Sequence, residues 1–186
     1  YVSGVREGPV QVFDEEGNPV QQAYYRNDVL TDSVQLYYND GSVKGTAFFA
    51  GGKPEGAVKE YFADGSIRKL MHYANGKPNG VALTYYPNGN VETEAFLRDG
   101  VITGYYKTYY DNGQLETIST MEGGTKHGRF RSYDRQGALI VEGGFVDGKL
   151  HGPNTGYYPD GSKRHRFTYR EGQKTGTNFE YYPDGT

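Results

Sequence analysis

The amino-acid sequence predicts an all-β protein, an elongated single-layer antiparallel sheet of stacked β-hairpins built from 24-residue repeats. Three observations predict this fold. Glycines recur in columns 24 residues apart, every period carries two turn signals, and the segments between turns alternate apolar with polar residues. Alternation with a period of two is typical of a strand with one solvated face. No apolar stripe with helical spacing extends over ten residues.

The composition excludes several classes of protein. The 186 residues include 28 Gly but no Cys, which excludes a disulfide framework and a thiolate metal site. Glycine does not recur at every third position, as collagen requires. No apolar run is long enough to cross a bilayer. The 19 Tyr and 9 Phe argue against simple disorder.

Three columns of glycine define the repeat, and no insertion or deletion interrupts their spacing of 24 residues. The first column is Gly17, Gly41, Gly65, Gly89, Gly113, Gly137, Gly161 and Gly185; the second is Gly56, Gly80, Gly104, Gly128, Gly152 and Gly176; the third is Gly52, Gly76, Gly100, Gly124, Gly148 and Gly172. A fixed period of this length is the signature of a repeat architecture.

Two turns are predicted in each period. Asp-Gly or Asn-Gly dipeptides such as Asp64-Gly65 follow an aromatic pair, and they favour a tight hairpin because Gly and Asn tolerate positive φ. The Gly-Lys-x-x-Gly segment at 76–80 indicates a second, looser turn. Proline fits both turns, so it avoids strand centres. Pro54, Pro78 and Pro153 are assigned to the second turns, and Pro87, Pro159 and Pro183 to the first.

Two short strands lie between the turns, at about residues 57–62 and 67–73 of the third unit. Along the second of these, Ile67, Met71 and Tyr73 lie on one face and charged residues on the other. The pattern predicts about fifteen strands. Residues 1–186 are expected to form one array of about seven full units and a truncated last unit, with the first unit serving as a cap.

The repeated unit Gly-x4-Tyr-Tyr-x-Asp/Asn-Gly-x-Leu/Val-x5-Tyr/Phe-x2-Gly-Lys-x2-Gly resembles the MORN repeat variant, which occurs in many bacterial proteins, including the YwqK-family antitoxins. The resemblance extends from about residue 4 to residue 186. It implies stacked hairpins with a binding or scaffolding role, in some cases at membranes. Asp28 and Asp32 depart from the pattern, because they stand where it has glycine.

One tyrosine column is the main candidate surface for binding a partner. Its members recur once in each repeat and are Tyr37, Tyr61, Tyr85, Tyr109, Tyr133, Tyr157 and Tyr181. One interpretation is that these rings simply pack the sheet through cross-strand contacts. The other is a linear aromatic groove for a peptide, a glycan or a protein, because a one-layer sheet leaves an apolar face without a covering layer.

No residue pattern predicts a metal site, a cofactor or a catalytic centre. His127 and His151 share a repeat position and would stand about 10 Å apart, too far for one zinc ion. The serines follow glycines in turns without a nucleophile-elbow pattern. The glycine-rich turns join strands and open no helix, so they do not form a phosphate-binding loop.

Basic residues are concentrated in the last third of the chain, whereas the whole chain has a net charge of −3. One interpretation is a surface for an anionic partner or membrane, and the other is an ordinary solvated face. The candidate anion-contacting residues are Arg129, Arg131, Lys163, Arg164 and Arg166. Nucleic acid is not expected as a partner, because nucleic-acid binding uses a larger basic patch.

These features favour a non-enzymatic module that binds a protein or peptide through its tyrosine-rich face. Two alternatives are a toxin-neutralising antitoxin or immunity protein, as the resemblance implies, and a membrane-associated or cell-surface scaffold. A homodimer through the sheet edge or the apolar face is a further expectation. The sequence begins at Tyr1 without a charged-then-apolar leader, which indicates a processed or trimmed fragment. The expected location is the periplasm or cell surface of a bacterium.

Overall fold

The computed structural model describes residues 4–183, in which all sixteen strands belong to one open antiparallel sheet and no helix is present. The predicted all-β fold class is confirmed. The strands are β1 (Gly8–Phe13), β2 (Pro19–Arg26), β3 (Val29–Tyr37), β4 (Val43–Ala50), β5 (Lys53–Tyr61), β6 (Ile67–Ala74), β7 (Lys77–Tyr85), β8 (Val91–Arg98), β9 (Val101–Tyr109), β10 (Leu115–Glu122), β11 (Thr125–Tyr133), β12 (Leu139–Val146), β13 (Lys149–Leu150), β14 (Gly152–Tyr157), β15 (Lys163–Arg170) and β16 (Gln173–Glu180).

The strands follow one another across the sheet in chain order. The exception is the two-residue strand β13, which pairs with β12 beside β14, so fifteen strands form the continuous path. Backbone contacts divide the chain into two units. One contains the described residues up to Gly89 together with Leu97–Gly100, and the other contains Asn90–Phe96 together with the described residues from Val101. The single repeat array over residues 1–186 stays a prediction.

The Asp-Gly turn is built differently from the sequence prediction. In the turn after β3, only Gly41 has positive φ, at 83°. The Tyr38 amide donates to the Ser42 carbonyl and the Gly41 amide to the Tyr38 carbonyl, both at 2.9 Å. Asp40 contributes its side chain, because Oδ1 accepts hydrogen bonds from the Ser42 amide at 2.9 Å and hydroxyl at 2.6 Å. The Asp residue is therefore used for Asx-type hydrogen bonding and the Gly for conformation.

The predicted looser turn was wrong. It is a two-residue turn at Asn75-Gly76, where both φ angles are positive, at 53° and 82°. This is the type I′ geometry that matches the twist of a hairpin. The residues after the turn already belong to the strand, and Pro54, Pro78 and Pro153 accordingly lie in β5, β7 and β14. Each occupies the second position of its strand, near the strand end where proline is tolerated.

The strands are longer than predicted because of this shift in the turn. The hairpin of the third unit is formed by β5 and β6, with nine and eight residues, where about six and seven were expected. A register shift between Thr46 and Phe48 accommodates Gly56, whose φ is 74°. The second glycine column therefore marks a bulge within the strand rather than the end of a turn. The predicted turn residues Asp184 and Gly185 lie outside the described residues.

One face of the sheet contains the buried side chains, and we call it the packing face. Ala23 and Val34 are opposite each other in β2 and β3 and are 3% and 8% exposed. Ala95 and Ser119, at the same repeat position as Ala23, are 6% and 3% exposed, and Asn154 repeats the position of Val34. In each unit the core therefore consists of small and medium side chains at equivalent repeat positions.

Large and small residues are matched across paired strands. Leu36 lies opposite Gly45, and Gly156 lies opposite His165. A Cβ atom at Gly156 would stand 2.2 Å from the His165 ring. The imidazole fills the place of the missing side chain and stacks on Phe167, with 4.4 Å between ring centroids. Burial in this stack, and then the charges of Arg164 and Lys174, lower the pKa of His165.

Candidate functional site

The predicted tyrosine column lies on the face opposite the packing face, which we call the tyrosine face. Its seven rings are all half-buried. Tyr37, Tyr61, Tyr85, Tyr109, Tyr133 and Tyr157 end their strands, and Tyr181 follows β16. Each strand-end ring therefore stands beside the turn that contains the next glycine of the first column.

The hydroxyls of four of these tyrosines contact the side chain that lies 15 residues earlier. The Tyr109 hydroxyl donates to Glu94 Oε2 at 2.7 Å and the Tyr157 hydroxyl to Glu142 Oε1 at 2.8 Å. The equivalent pairs are Tyr37–Gln22 at 3.3 Å and Tyr61–Thr46 at 3.4 Å. Sequence reasoning did not identify these partners, although their constant separation was a signal that could have found them. These contacts hold the four rings in place and occupy their hydroxyls with hydrogen bonds inside the sheet.

The second aromatic of each pair links successive repeats. The hydroxyls of Tyr38, Tyr110 and Tyr158 donate to the backbone carbonyls of Tyr61, Tyr133 and Tyr181, at 2.6, 2.9 and 2.9 Å. Each bond joins residues 23 apart and satisfies a carbonyl at the end of a hairpin strand. This column therefore has a structural role in holding one repeat to the next.

Phe62 occupies this linking position without a hydroxyl. We expect Phe62→Tyr to raise the free energy of unfolding by about 1 kcal/mol, because the new hydroxyl can donate to the Tyr85 carbonyl. Tyr110→Phe should lower it by a similar amount, because its hydrogen bond to Tyr133 is lost. Urea unfolding of both variants checks the prediction. Two changes with the same sign would contradict it.

Glu94 is a carboxylate of the tyrosine face that accepts hydrogen bonds from three side chains. It accepts hydrogen bonds from the Tyr109 and Tyr105 hydroxyls and, at 3.0 Å, from Lys107 Nζ. Its side chain is 21% exposed. Burial acts to raise the pKa of Glu94, but the hydrogen bonds from Tyr109, Tyr105 and Lys107 together outweigh it and lower the pKa. The charged form is therefore the one that the cluster holds.

Because of the same cluster, we expect the free energy of unfolding to depend on pH in the alkaline range. Burial, and then the hydrogen bond to Glu94, raise the pKa of Tyr109 from 10.0 to about 12. Since the folded protein holds this proton more tightly, its contribution to stability is complete below pH 10 and is lost as the pH rises through about 12. We expect the urea midpoint to fall over this range, and to fall less in Tyr109→Phe. Parallel pH profiles for the two proteins would contradict this origin.

The predicted basic residues are divided among several places. Arg131 Nε pairs with Glu142 at 3.1 Å, and Arg129 and Arg131 line one cleft. Lys163 begins β15, and Arg164 lines a different cleft together with Tyr158 and His165. Arg166 lies opposite Thr155 in the neighbouring strand. The second unit thus brings two of the five predicted residues, Arg129 and Arg131, to one cleft.

His127, which was considered as a metal ligand, lies near two exposed carboxylates at the surface. His127 Nδ1 lies 3.4 Å from Asp147, and its Nε2 lies 4.0 Å from Glu122. Among residues 4–183, no three His, Cys, Asp or Glu side chains are close enough to share a metal ion. In the same part of the chain, no helix has the length and apolar character needed to span a membrane.

The open sheet of hairpin repeats, with a column of tyrosine rings of which four are anchored through their hydroxyls, defines a β-repeat protein. The family model of the MORN repeat variant matches the chain at residues 6–27, 54–75, 78–99 and 102–122. MORN repeats are generally considered to be protein-binding or membrane-binding modules. No curated protein matches the chain significantly.

Proposed function

We propose that the chain is a non-enzymatic module that binds a protein or peptide along the tyrosine face. The observation that supports this proposal is the difference between the two faces. The buried residues Ala23, Val34 and Ala95 belong to the packing face, whereas the tyrosine column stays half exposed on the other. A face with aromatic rings and no covering layer suits a partner.

The fixed hydroxyls also favour binding. Because Tyr109 and Tyr157 are held by Glu94 and Glu142, their rings have already lost most of their rotational freedom. A partner that packs on such rings loses less side-chain entropy on binding than one that must order flexible groups. The hydroxyls are satisfied within the sheet, so the partner would contact ring faces and edges.

The test uses a pair of variants with a matched control. Tyr61→Ala combined with Tyr85→Ala removes two neighbouring rings of the tyrosine face in the first unit. Tyr38→Ala combined with Phe62→Ala removes two rings of the linking column in the same unit. Partners captured from source cells are identified, purified and titrated against each protein by calorimetry. We expect the first pair to weaken binding about tenfold or more and the control pair to leave affinity nearly unchanged.

Thermal unfolding of both double variants separates folding from binding. Each pair should lower the unfolding temperature, since each removes half-buried rings. If the two pairs weaken binding equally, the tyrosine column acts only through packing and the proposal is wrong. A partner that proves to be a toxin would establish the antitoxin alternative as the specific form of this binding function. Binding to lipid vesicles without any protein partner would support the membrane alternative instead.

A further inference from the structure

A cleft of about 450 Å³ opens in the second unit at the strand β12. Two consecutive glycines, Gly143 and Gly144, lie in the middle of this strand. The other residues around the cleft come from the neighbouring strands β11 and β14 and from the junction before β14. They are Arg129, Phe130, Arg131, Glu142, His151, Pro153 and Thr155.

The cleft exists because Gly144 provides no side chain on the tyrosine face. The same repeat position holds Tyr24, Phe48, His72 and Phe96 in the earlier repeats and Thr120 in the repeat just before. At Gly144 a Cβ atom would stand 2.9 Å from the His151 carbonyl oxygen, so even alanine would require the backbone to move. The floor of the cleft is therefore backbone, to which Gly144 and the His151 carbonyl oxygen contribute.

The charges around the cleft are unbalanced. Arg131 Nε donates to Glu142 Oε2 at 3.1 Å, and the other oxygen of Glu142 accepts the Tyr157 hydroxyl at 2.8 Å. Both carboxylate oxygens are thus engaged. Arg129 is exposed, and within residues 4–183 its guanidinium donates no hydrogen bond. Among the lining residues, two guanidinium groups and one carboxylate give a net charge of +1.

We propose that this cleft binds the carboxylate of an acidic side chain from a peptide partner, with Arg129 as the principal contact. The proposal rests on the proposed binding function and specifies the chemistry that the partner must supply. The planar guanidinium of Arg129 can donate two parallel hydrogen bonds to a carboxylate. The Thr155 hydroxyl, which lines the same cleft, is a further donor.

The fixed Glu142 carboxylate selects for a single negative charge. A carboxylate neutralises the net charge of +1, whereas a phosphate dianion would bring an additional charge beside Glu142. Like charges at short range in a partly enclosed site are unfavourable, and Glu142 cannot move away without losing Arg131 and Tyr157. The arrangement therefore favours an Asp or Glu side chain over a phosphoryl group.

The test measures binding of a capped hexaglutamate peptide to the full chain, with a capped hexaglutamine peptide as the neutral probe. Arg129→Gln should weaken hexaglutamate binding about tenfold, the value of one charge-assisted bidentate contact. Arg26→Gln makes the same charge change at an exposed position of the first unit and should leave binding within about twofold. Arg129→Lys should give an intermediate affinity because it keeps the charge and loses the fork.

Three outcomes would overturn the proposal. Equal losses in Arg129→Gln and Arg26→Gln would show general attraction to the surface. If Arg129→Gln unfolds normally and binds hexaglutamate with unchanged affinity, Arg129 is not the contact for the carboxylate. Tighter Arg129-dependent binding of inorganic phosphate or phosphatidic acid vesicles than of hexaglutamate would assign the cleft to a phosphoryl group. The double variant Tyr61→Ala and Tyr85→Ala, in the other unit, should retain hexaglutamate binding, so failure of the tyrosine-face proposal can be distinguished.

Discussion

Replacing Glu94 with alanine is expected to lower the free energy of unfolding by about 3 kcal/mol. The change removes the acceptor of three hydrogen bonds, from Tyr105, Lys107 and Tyr109. Lys107 is only 25% exposed and would keep its charge without this partner. Loss of one partner from a partly buried charged network costs more than loss of an exposed pair. Urea unfolding at neutral pH measures the effect.

Glu60→Ala is the matched control for Glu94→Ala. Glu60 pairs with Arg68 on the surface, where the two side chains are 37% and 52% exposed. An exposed pair of this kind contributes about 1 kcal/mol or less. Glu94→Gln should fall between the two alanine variants, because its amide oxygen still accepts a hydrogen bond. If Glu94→Ala costs no more than Glu60→Ala, the cluster around Glu94 contributes little to stability.

Gly156→Ala is expected to lower the free energy of unfolding by about 2 kcal/mol. Its φ is outside the left-handed region, so alanine is acceptable to the backbone. The cost is steric, because the new Cβ would stand 2.2 Å from the His165 ring. The ring would have to leave its stack on Phe167, where the centroids are 4.4 Å apart.

A double-mutant cycle isolates this contact. His165→Ala should itself be destabilising, because it leaves a gap over Gly156 and removes the stack on Phe167. Adding Gly156→Ala to His165→Ala should then cost far less than Gly156→Ala alone, since the obstructing ring is gone. If the free-energy changes of the two single variants add up to that of the double variant, the contact with His165 is not the cause of the destabilisation.

The cluster around Glu94 and the contact between Gly156 and His165 could be predicted only in part from the sequence. Glu94 was recognisable as a residue of the polar face, because alternation along a strand is a local property. Its three donors were not, because Tyr109 and Tyr105 lie on the next strand and Lys107 reaches back from it. The pairing of Gly156 with His165 likewise depends on the register of β14 with β15.

The turns show why boundaries were harder to predict than strands. Asn75-Gly76 and Asp64-Gly65 are both strong turn signals, but their backbones differ. Both residues of the first dipeptide have positive φ, and in the second only Gly65 does. The choice between them depends on the hydrogen bonds that close each loop, such as Gly65 to the Phe62 carbonyl at 3.0 Å. The residue types of the two dipeptides do not by themselves distinguish these two turn geometries.

The amino-acid sequence by itself determined the repeat length, the all-β class and the alternation of apolar and polar residues along each strand. These properties are local, because they follow from turn chemistry and from side chains that alternate across a strand. Only the tertiary structure decided which face packs and where the tyrosine hydroxyls are anchored. It also brought Arg129 and Arg131 around the bare backbone of Gly144. Those outcomes depend on bulges and on register between strands, which set the contacts of residues 15 to 24 positions apart.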